Sequence, residues 1–172
     1  MSKKTRKLTL SALFAALSVA SLYIASVWPT GQYGIVAFAS LFVAAAVIDI
    51  GPAYGFYVFI VSSALGMLIL PNKAAPLLFI LFFGYYPVVK SIVEKIGNRV
   101  VQWFLKLAVF NAALSVIYLF LKDMLLGFSE RIPGVFTIYL LGSAVFALYD
   151  YGFSNALRLY KERISKQTGI RG

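Results

Sequence analysis

The chain has 172 residues, of which 61% are hydrophobic and 16% aromatic, and sixteen lysines and arginines stand against six acidic residues. A soluble domain is only about half apolar, so this composition predicts a protein that lies in lipid. The chain contains no cysteine and no histidine. Their absence excludes disulfides, the usual zinc sites, haem held by histidine and catalytic triads with a histidine base. We therefore expect neither a cofactor nor a bound metal.

Apolar segments that approach the roughly 20 residues needed to cross a membrane follow one another along the chain. The first ends before Pro29 and Gly31, which favour a turn. A longer apolar run is divided before Pro52, because proline disfavours helix in the preceding residue, and Pro87 predicts a kink in the fourth segment. The chain is predicted to form one domain, 1–172, with spans at 8–28, 35–49, 52–70, 76–93, 100–121 and 135–157.

The distribution of the basic residues predicts the orientation of these spans. Six spans place both termini on one side, and the side richer in lysine and arginine is cytoplasmic. We expect a short basic connection over 90–99 that is amphipathic and lies at the surface. Its basic residues belong to the same side as the termini. Lys106 lies within a span and is counted on neither side. The terminal side then holds twelve basic residues (Lys3, Lys4, Arg6, Lys7, Lys90, Lys95, Arg99, Arg158, Lys161, Arg163, Lys166 and Arg171) and the other side three (Lys73, Lys122 and Arg131).

The sequence therefore predicts an all-α integral membrane protein, a compact bundle of six transmembrane helices with cytoplasmic N- and C-termini. The basic clusters border apolar spans, where the anionic headgroups of the inner leaflet lie. We expect them to contact membrane lipids and not nucleic acid.

The outward loops are candidates for capturing a solute, because loops carry binding residues disproportionately. Their cations favour an anionic solute, although Asp123 and Glu130 can neutralise two of them. The alternative is that these loops are polar only because they meet water. The candidate ligand-binding residues in the loops are Gln32, Tyr33, Asn72, Lys73, Lys122 and Arg131.

A polar stripe on the fifth span adds further candidates. Asn111, Ser115 and Tyr118 recur at helical spacing, and Lys122 follows one turn later. A stripe of this kind faces protein or a cavity and not lipid. It is interpreted either as interhelical hydrogen bonding or as one wall of a ligand pocket.

Two charged residues lie inside spans, Lys106 in the fifth and Asp150 in the sixth. Both are unfavourable in lipid unless they are paired. We expect a structural Lys106–Asp150 ion pair, the alternative being coupling to protons or to a partner. Asp49 is expected to cap or hydrate the turn before the third span. It lacks the glycine-flanked signature of intramembrane aspartyl proteases, and we expect no enzyme activity.

Small residues recur every four positions on the first span, at Ala12, Ala16 and Ala20. Such a smooth stripe lets another helix approach closely. The stripe is predicted to pack either inside the bundle or against a separate subunit.

The chain resembles the substrate-binding S components of energy-coupling factor (ECF) transporters. The resemblance covers essentially the whole chain and comprises its length, the six spans with cytoplasmic ends, and two motifs. One is the Ala12-x-x-x-Ala16 pattern, which follows Lys-Leu-Thr-Leu-Ser at 7–11; the other is Gly-Pro-Ala-Tyr-Gly at 51–55. The second span departs from the family in lacking the acidic or asparagine-rich pattern of many members, and no signature for a particular vitamin is present.

The resemblance implies that the protein captures a vitamin or related small molecule at the outer face of a bacterial or archaeal plasma membrane. In that family the alanine stripe contacts a transmembrane coupling subunit, two ATP-binding subunits supply energy, and the ligand lies near the outer face between the loops and the later helices. The chain itself has no Walker motif. The alternative function is a non-transporting multispan scaffold of a cell-envelope or cell-shape complex, which needs no pocket.

Overall fold

The computed structural model describes residues 3–28, 30–120 and 135–168, and the regular structure within these ranges is entirely helical. Six helical stretches are long and apolar enough to cross a membrane, which confirms the predicted all-α bundle. The fourth stretch combines two short helices and a π-helical segment. The elements are α1 (Lys3–Val27), α2 (Gln32–Asp49), α3 (Pro52–Ile69), α4 (Ala74–Leu78), the π-helical segment (Phe79–Phe83), α5 (Tyr86–Val93), α6 (Arg99–Phe120) and α7 (Val135–Thr168).

Glycine and proline set the starts of α2 and α3. Gly31 and Gly51 precede these helices with φ angles of 91° and 125°, a region that glycine tolerates because it has no Cβ. Pro52 lies in the first turn of α3, where a missing N–H removes no helical hydrogen bond. The tight turn between α2 and α3 makes them an antiparallel hairpin.

The fourth span is interrupted immediately before Pro87, on the N-terminal side where a proline breaks a helix. Pro87 occupies the first turn of α5, and the irregularity comes earlier, in the π-helical segment and at Gly84 and Tyr85. The N–H of Gly84 donates to the carbonyl of Phe79 at 2.7 Å. A Cβ on Gly84 would lie 2.6 Å from ring atoms of Phe59 and Phe79. Glycine at position 84 therefore allows the rings of Phe59 and Phe79 to pack closely against this part of the span.

One end of the bundle, called the basic end below, carries the starts of α1 and α3, the connection after α5 and the end of α7. There Lys7 Nζ lies 5.4 Å from the centre of the Tyr54 ring, and the Tyr160 hydroxyl donates to Asp49 Oδ2 at 2.8 Å. The helix α7 continues to Thr168, past residue 157, where the predicted sixth span ends. Tyr160 and several basic residues therefore lie in the last turns of this helix, at the basic end.

The opposite end of the bundle carries the end of α1, the start of α2 and the connection between α3 and α4. The N–H of Asn72 donates to Ser26 Oγ at 3.0 Å, which fixes this connection to α1. At the basic end these contacts join separate helices, and at the opposite end the contact joins α1 to the connection between α3 and α4.

The core has two parts. The first lies among α1, α2, α3, α4 and the π-helical segment and contains Leu22, Val43 and Phe79, all fully buried. The second is aromatic and lies among α2, the fourth span, α6 and α7, with Tyr86 and Phe146 at its centre. Since lipid is as apolar as these side chains, close packing and hydrogen bonding stabilise such a bundle. The aromatic part borders the candidate site.

Candidate functional site

An apolar cavity of about 240 Å³ lies between α2, the fourth span, α6 and α7. It is called the aromatic cavity below. It extends from Tyr33, in the first turn of α2 at the opposite end of the bundle, to Tyr149 near the middle of α7. None of the described side chains around it is charged. The lining residues are Tyr33, Leu78, Phe82, Phe83, Phe110, Ala113, Leu114, Ile117, Gly142, Val145, Phe146 and Tyr149.

Aromatic rings form one wall of this cavity in a defined arrangement. Phe110 and Phe146 are stacked, with ring centres 4.8 Å apart and planes at 16°. Phe82 meets both rings edge-on, at 5.3 Å and 5.7 Å. Stacked and edge-to-face geometries are the favoured ones for aromatic pairs, so these rings support one another and present a firm apolar wall.

Gly142 keeps part of the cavity open. A Cβ at this position would lie 3.0 Å from Leu114 Cδ2 and 3.4 Å from Phe110 Cζ, both in the cavity wall. A larger side chain would therefore occupy space within the cavity or displace its lining.

A layer of aromatic side chains closes the cavity on the side of the basic end. Tyr86 and Tyr149 pack against Phe82, with ring centres 5.0 Å and 5.9 Å apart, and Phe153 packs against both tyrosines. The Tyr149 hydroxyl lies 3.2 Å from Ser40 Oγ on α2. The Tyr86 hydroxyl points the other way and donates to Asp150.

Below this layer, Lys90, Glu94, Lys106 and Asp150 form a charge cluster. Lys106 Nζ lies 3.2 Å from Asp150 Oδ2 and 2.8 Å from Glu94 Oε1. Lys90 Nζ contacts Asp150 Oδ1, lies 2.9 Å from Glu94 Oε1 and donates to Ser154 Oγ at 2.8 Å. Two cations are thus matched by two carboxylates, and each lysine contacts both acids.

The sequence predicted only the Lys106–Asp150 pair of this cluster. Lys90 was assigned to a basic surface connection, which is wrong, because Lys90 lies in α5 and is 2% exposed. The available signal was the spacing of Lys90 and Glu94, four residues apart at the end of an apolar helix, which places both on one helical face.

Glu94 lies outside the candidate spans, at the edge of the cluster. Burial alone would raise the pKa of its carboxyl, but hydrogen bonds from Lys106 and Lys90, together with their charges, lower the pKa below its ordinary value. Glu94 is therefore ionised at neutral pH, and the four charges sum to zero.

A separate cavity of about 330 Å³ opens beside the cluster at the basic end. Lys90 and Glu94 line it, together with Lys95, Lys161 and parts of α2. The aromatic layer and the charge cluster therefore stand between this cavity and the aromatic cavity.

The predicted polar stripe on the fifth span makes other contacts. Asn111 Nδ2 donates to the carbonyl of Leu107 at 2.9 Å, and Ser115 Oγ donates to the carbonyl of Asn111 at 2.8 Å. Ser115 Oγ also lies 2.7 Å from the hydroxyl of Tyr139 on α7. Tyr118 is half-buried and is not part of the cavity lining. The stripe thus serves its own helix and the α6–α7 contact.

The predicted loop residues are distributed unevenly around the cavity. Tyr33 lines it. Lys73 donates to the carbonyls of Met67 and Leu70 at 2.7 Å each, at the end of α3, and Asn72 Oδ1 accepts from the N–H of Ala74. The buried Nε2 of Gln32 has no hydrogen-bond partner in the described part of the chain. Lys122 and Arg131, with Asp123 and Glu130, lie outside the described residues.

The alanine stripe faces away from the bundle. Ala12, Ala16 and Ala20 are exposed, whereas Ala15 and Ser18 on the other face of α1 are buried. The stripe therefore does not pack inside the bundle.

These observations define a multi-pass membrane protein with an aromatic cavity reaching one end and a neutral charge cluster toward the other. No protein-family model matches the chain, and comparisons with curated proteins and with solved structures give no match.

Proposed function

We propose that the protein is the membrane-embedded solute-binding subunit of an ECF-type uptake transporter, which captures a vitamin or related small molecule in the plasma membrane of a bacterium or archaeon. The observation that carries the proposal is the aromatic cavity, which reaches the end of the bundle opposite the basic end. The positive-inside rule assigns that end to the outside. A solute-binding subunit requires a largely preformed, mostly apolar pocket, whereas a scaffold does not.

The proposed partner interface is the alanine stripe of α1. Because Ala12, Ala16 and Ala20 are exposed, they are available to a helix of a transmembrane coupling subunit, and small residues allow close approach of two helices. The chain has no nucleotide-binding motif, so the proposal assigns the energy source to separate ATP-binding subunits.

The arrangement of the interior favours one mode of delivery. The aromatic layer and the charge cluster lie between the aromatic cavity and the basic end. Opening a path through the bundle would separate buried ion pairs, which is strongly unfavourable in a low-dielectric interior. We propose instead that the whole body reorients against its partner, sliding on the alanine stripe with the solute in the cavity.

Affinity purification of the full chain from membranes of its source organism tests this proposal. We expect a transmembrane coupling subunit and ATP-binding subunits to copurify with the wild-type chain, and the Ala12→Leu/Ala16→Leu variant to lose them. The Ala112→Leu/Ala144→Leu variant is the matched control, because both alanines are exposed on other helices.

Two results would contradict the proposal. Association with cell-wall enzymes alone would favour the scaffold function. An intact assembly in the Ala12→Leu/Ala16→Leu variant would show that the partner binds another surface.

A further inference from the structure

We infer that the aromatic cavity binds the uncharged ring system of a planar aromatic solute, about the size of two fused rings. The biological role of this site rests on the proposed function, whereas the chemistry of the ligand follows from the charge, volume and ring geometry of the cavity.

The lining excludes a charged group from the interior of the cavity. None of its described side chains carries a charge, and its polar side chains are Tyr33 and Tyr149. The nearest described ion cluster is neutral and lies behind Tyr86, which directs its hydroxyl toward Asp150 and away from the cavity. An ion transferred there would lose several kcal/mol of hydration, on the order of the penalty for burying an unpaired charge.

The volume sets the size of the solute. An engineered apolar cavity of about 150 Å³ in another protein holds one benzene molecule. The aromatic cavity measures about 240 Å³, roughly 1.6 times that volume. The cavity is partly open, so this volume describes the part of the solute that it encloses, and two fused rings match it more closely than one.

The wall geometry selects a flat ring over a globular apolar group of equal volume. The cavity lining includes the stacked rings of Phe110 and Phe146 and the edge-on ring of Phe82. Aromatic pairs gain about 0.5–1.5 kcal/mol beyond the effect of area burial, and a saturated molecule does not obtain this gain. The Tyr149 hydroxyl faces Ser40 Oγ at 3.2 Å, so the cavity presents an apolar lining to the ring.

Thermal unfolding of the full chain in a neutral detergent tests the inference with three probes of similar size. Indole is planar, aromatic and uncharged; borneol is uncharged but saturated and globular; indole-3-carboxylate adds a negative charge. A ligand that binds only the folded state raises Tm. We expect indole to raise Tm in a saturable manner, and the other two probes to require at least about tenfold higher concentrations for an equal shift.

A matched pair of glycine variants locates the binding. Gly142→Val places methyl groups in the cavity, whereas a Cβ at Gly152 meets no heavy atom within 4 Å. Both residues lie in α7, so the change in helix propensity is the same. We expect Gly142→Val to raise the concentration of indole at half-maximal shift at least about tenfold, and Gly152→Val to leave it unchanged.

If Gly142→Val fails to fold, Phe146→Leu provides the same test by removing one ring of the stacked pair. We expect this variant to lose the preference for indole over borneol.

Three results would overturn the inference: no shift with indole, an equal shift with borneol or indole-3-carboxylate, or an indole response that Gly142→Val and Phe146→Leu both leave unchanged.

These outcomes are separate from a failure of the proposed function. If coupling and ATP-binding subunits copurify but indole does not bind, the solute class is wrong and the function stands. If indole binds in a Gly142-dependent manner without such partners, the solute class stands and the function is wrong.

Discussion

Asp150 connects three helices through its contacts with Lys90 on α5 and Lys106 on α6. The three side chains are 4%, 2% and 5% exposed, in that order. Burying such charges is tolerated only where each has a partner of opposite sign. The cluster therefore fixes the relative positions of α5, α6 and α7 below the aromatic layer.

Breaking this cluster should destabilise the fold strongly. The Asp150→Asn variant leaves two buried lysines with Glu94 as their remaining acid in the cluster, and we expect a loss of about 3–5 kcal/mol, the usual effect of removing one partner from a buried ion pair. Unfolding of the purified chain in detergent measures this loss.

Arg158→Ala is the control for this prediction. It removes the i,i+4 pair with Glu162, whose side chains are 78% and 53% exposed, and we expect a change below about 1 kcal/mol. If Asp150→Asn and Arg158→Ala were equally mild, the cluster would not have the stabilising role argued for it.

Of the residues in the charge cluster, the sequence identifies as buried charges only those that lie inside apolar spans. Lys106 and Asp150 stand out for this reason. Lys90 and Glu94 lie where a span meets a basic connection, and their ion pairs with Asp150 on α7 and Lys106 on α6 join residues far apart in the sequence.

At the scale of the helices, the 51–55 motif has a geometric explanation. Gly51 has a φ of 125° before α3, and Pro52 starts the helix. A Cβ on Gly55 would lie 2.2 Å from Val47 Cγ2, so glycine allows α2 and α3 to approach closely. The motif can therefore be understood as a requirement of the hairpin, independent of function.

A double-variant experiment tests this close approach. We expect Gly55→Ala to destabilise the protein by about 1–3 kcal/mol, the usual range for overpacking. Adding Val47→Ala removes the clashing methyl groups and should recover part of the loss. Gly152→Ala, at an open position of α7, should have no destabilising effect. The measurement is Tm in detergent, and strictly additive losses for the Gly55 and Val47 changes would contradict the proposed contact.

The sequence predicts a helix end well where a proline or glycine lies at that end. It predicts less where the irregularity involves contacts with other helices. Pro52 marks the start of α3 because a proline restricts its own backbone and that of its neighbour. At the break in the fourth span, Gly84 leaves room for the rings of Phe59 and Phe79, and Phe59 comes from another helix. The local pattern predicted the interruption at Pro87 but not the π-helical segment that precedes it.

At the scale of the whole molecule, the class of fold follows from composition, whereas the cavity does not. Six apolar stretches separated by turn residues determine the number of helices. The cavity lining comes from four separate spans, and its phenylalanines have the same pattern as core residues. The polar stripe of Asn111 and Ser115 suggested a pocket, but these side chains bond to carbonyls of their own helix, a common use of short polar side chains.

The proposed orientation can be tested by labelling, because the chain has no cysteine and any introduced thiol is unique. Asn72 and Lys4 are exposed at opposite ends of the bundle. We expect a membrane-impermeant maleimide to label Asn72→Cys in intact cells and Lys4→Cys only after the membrane is opened. The reverse pattern would place the aromatic cavity on the cytoplasmic side and contradict uptake from outside.

The most direct test of solute binding in the aromatic cavity is mass spectrometry of small molecules that copurify with the chain. Wild-type protein, Gly142→Val and Gly152→Val would be expressed in the source organism, purified in the same neutral detergent and compared. We expect one compound with an uncharged aromatic ring system, bound to the wild type and to Gly152→Val and depleted from Gly142→Val. Equal amounts of every compound in all three preparations would contradict it.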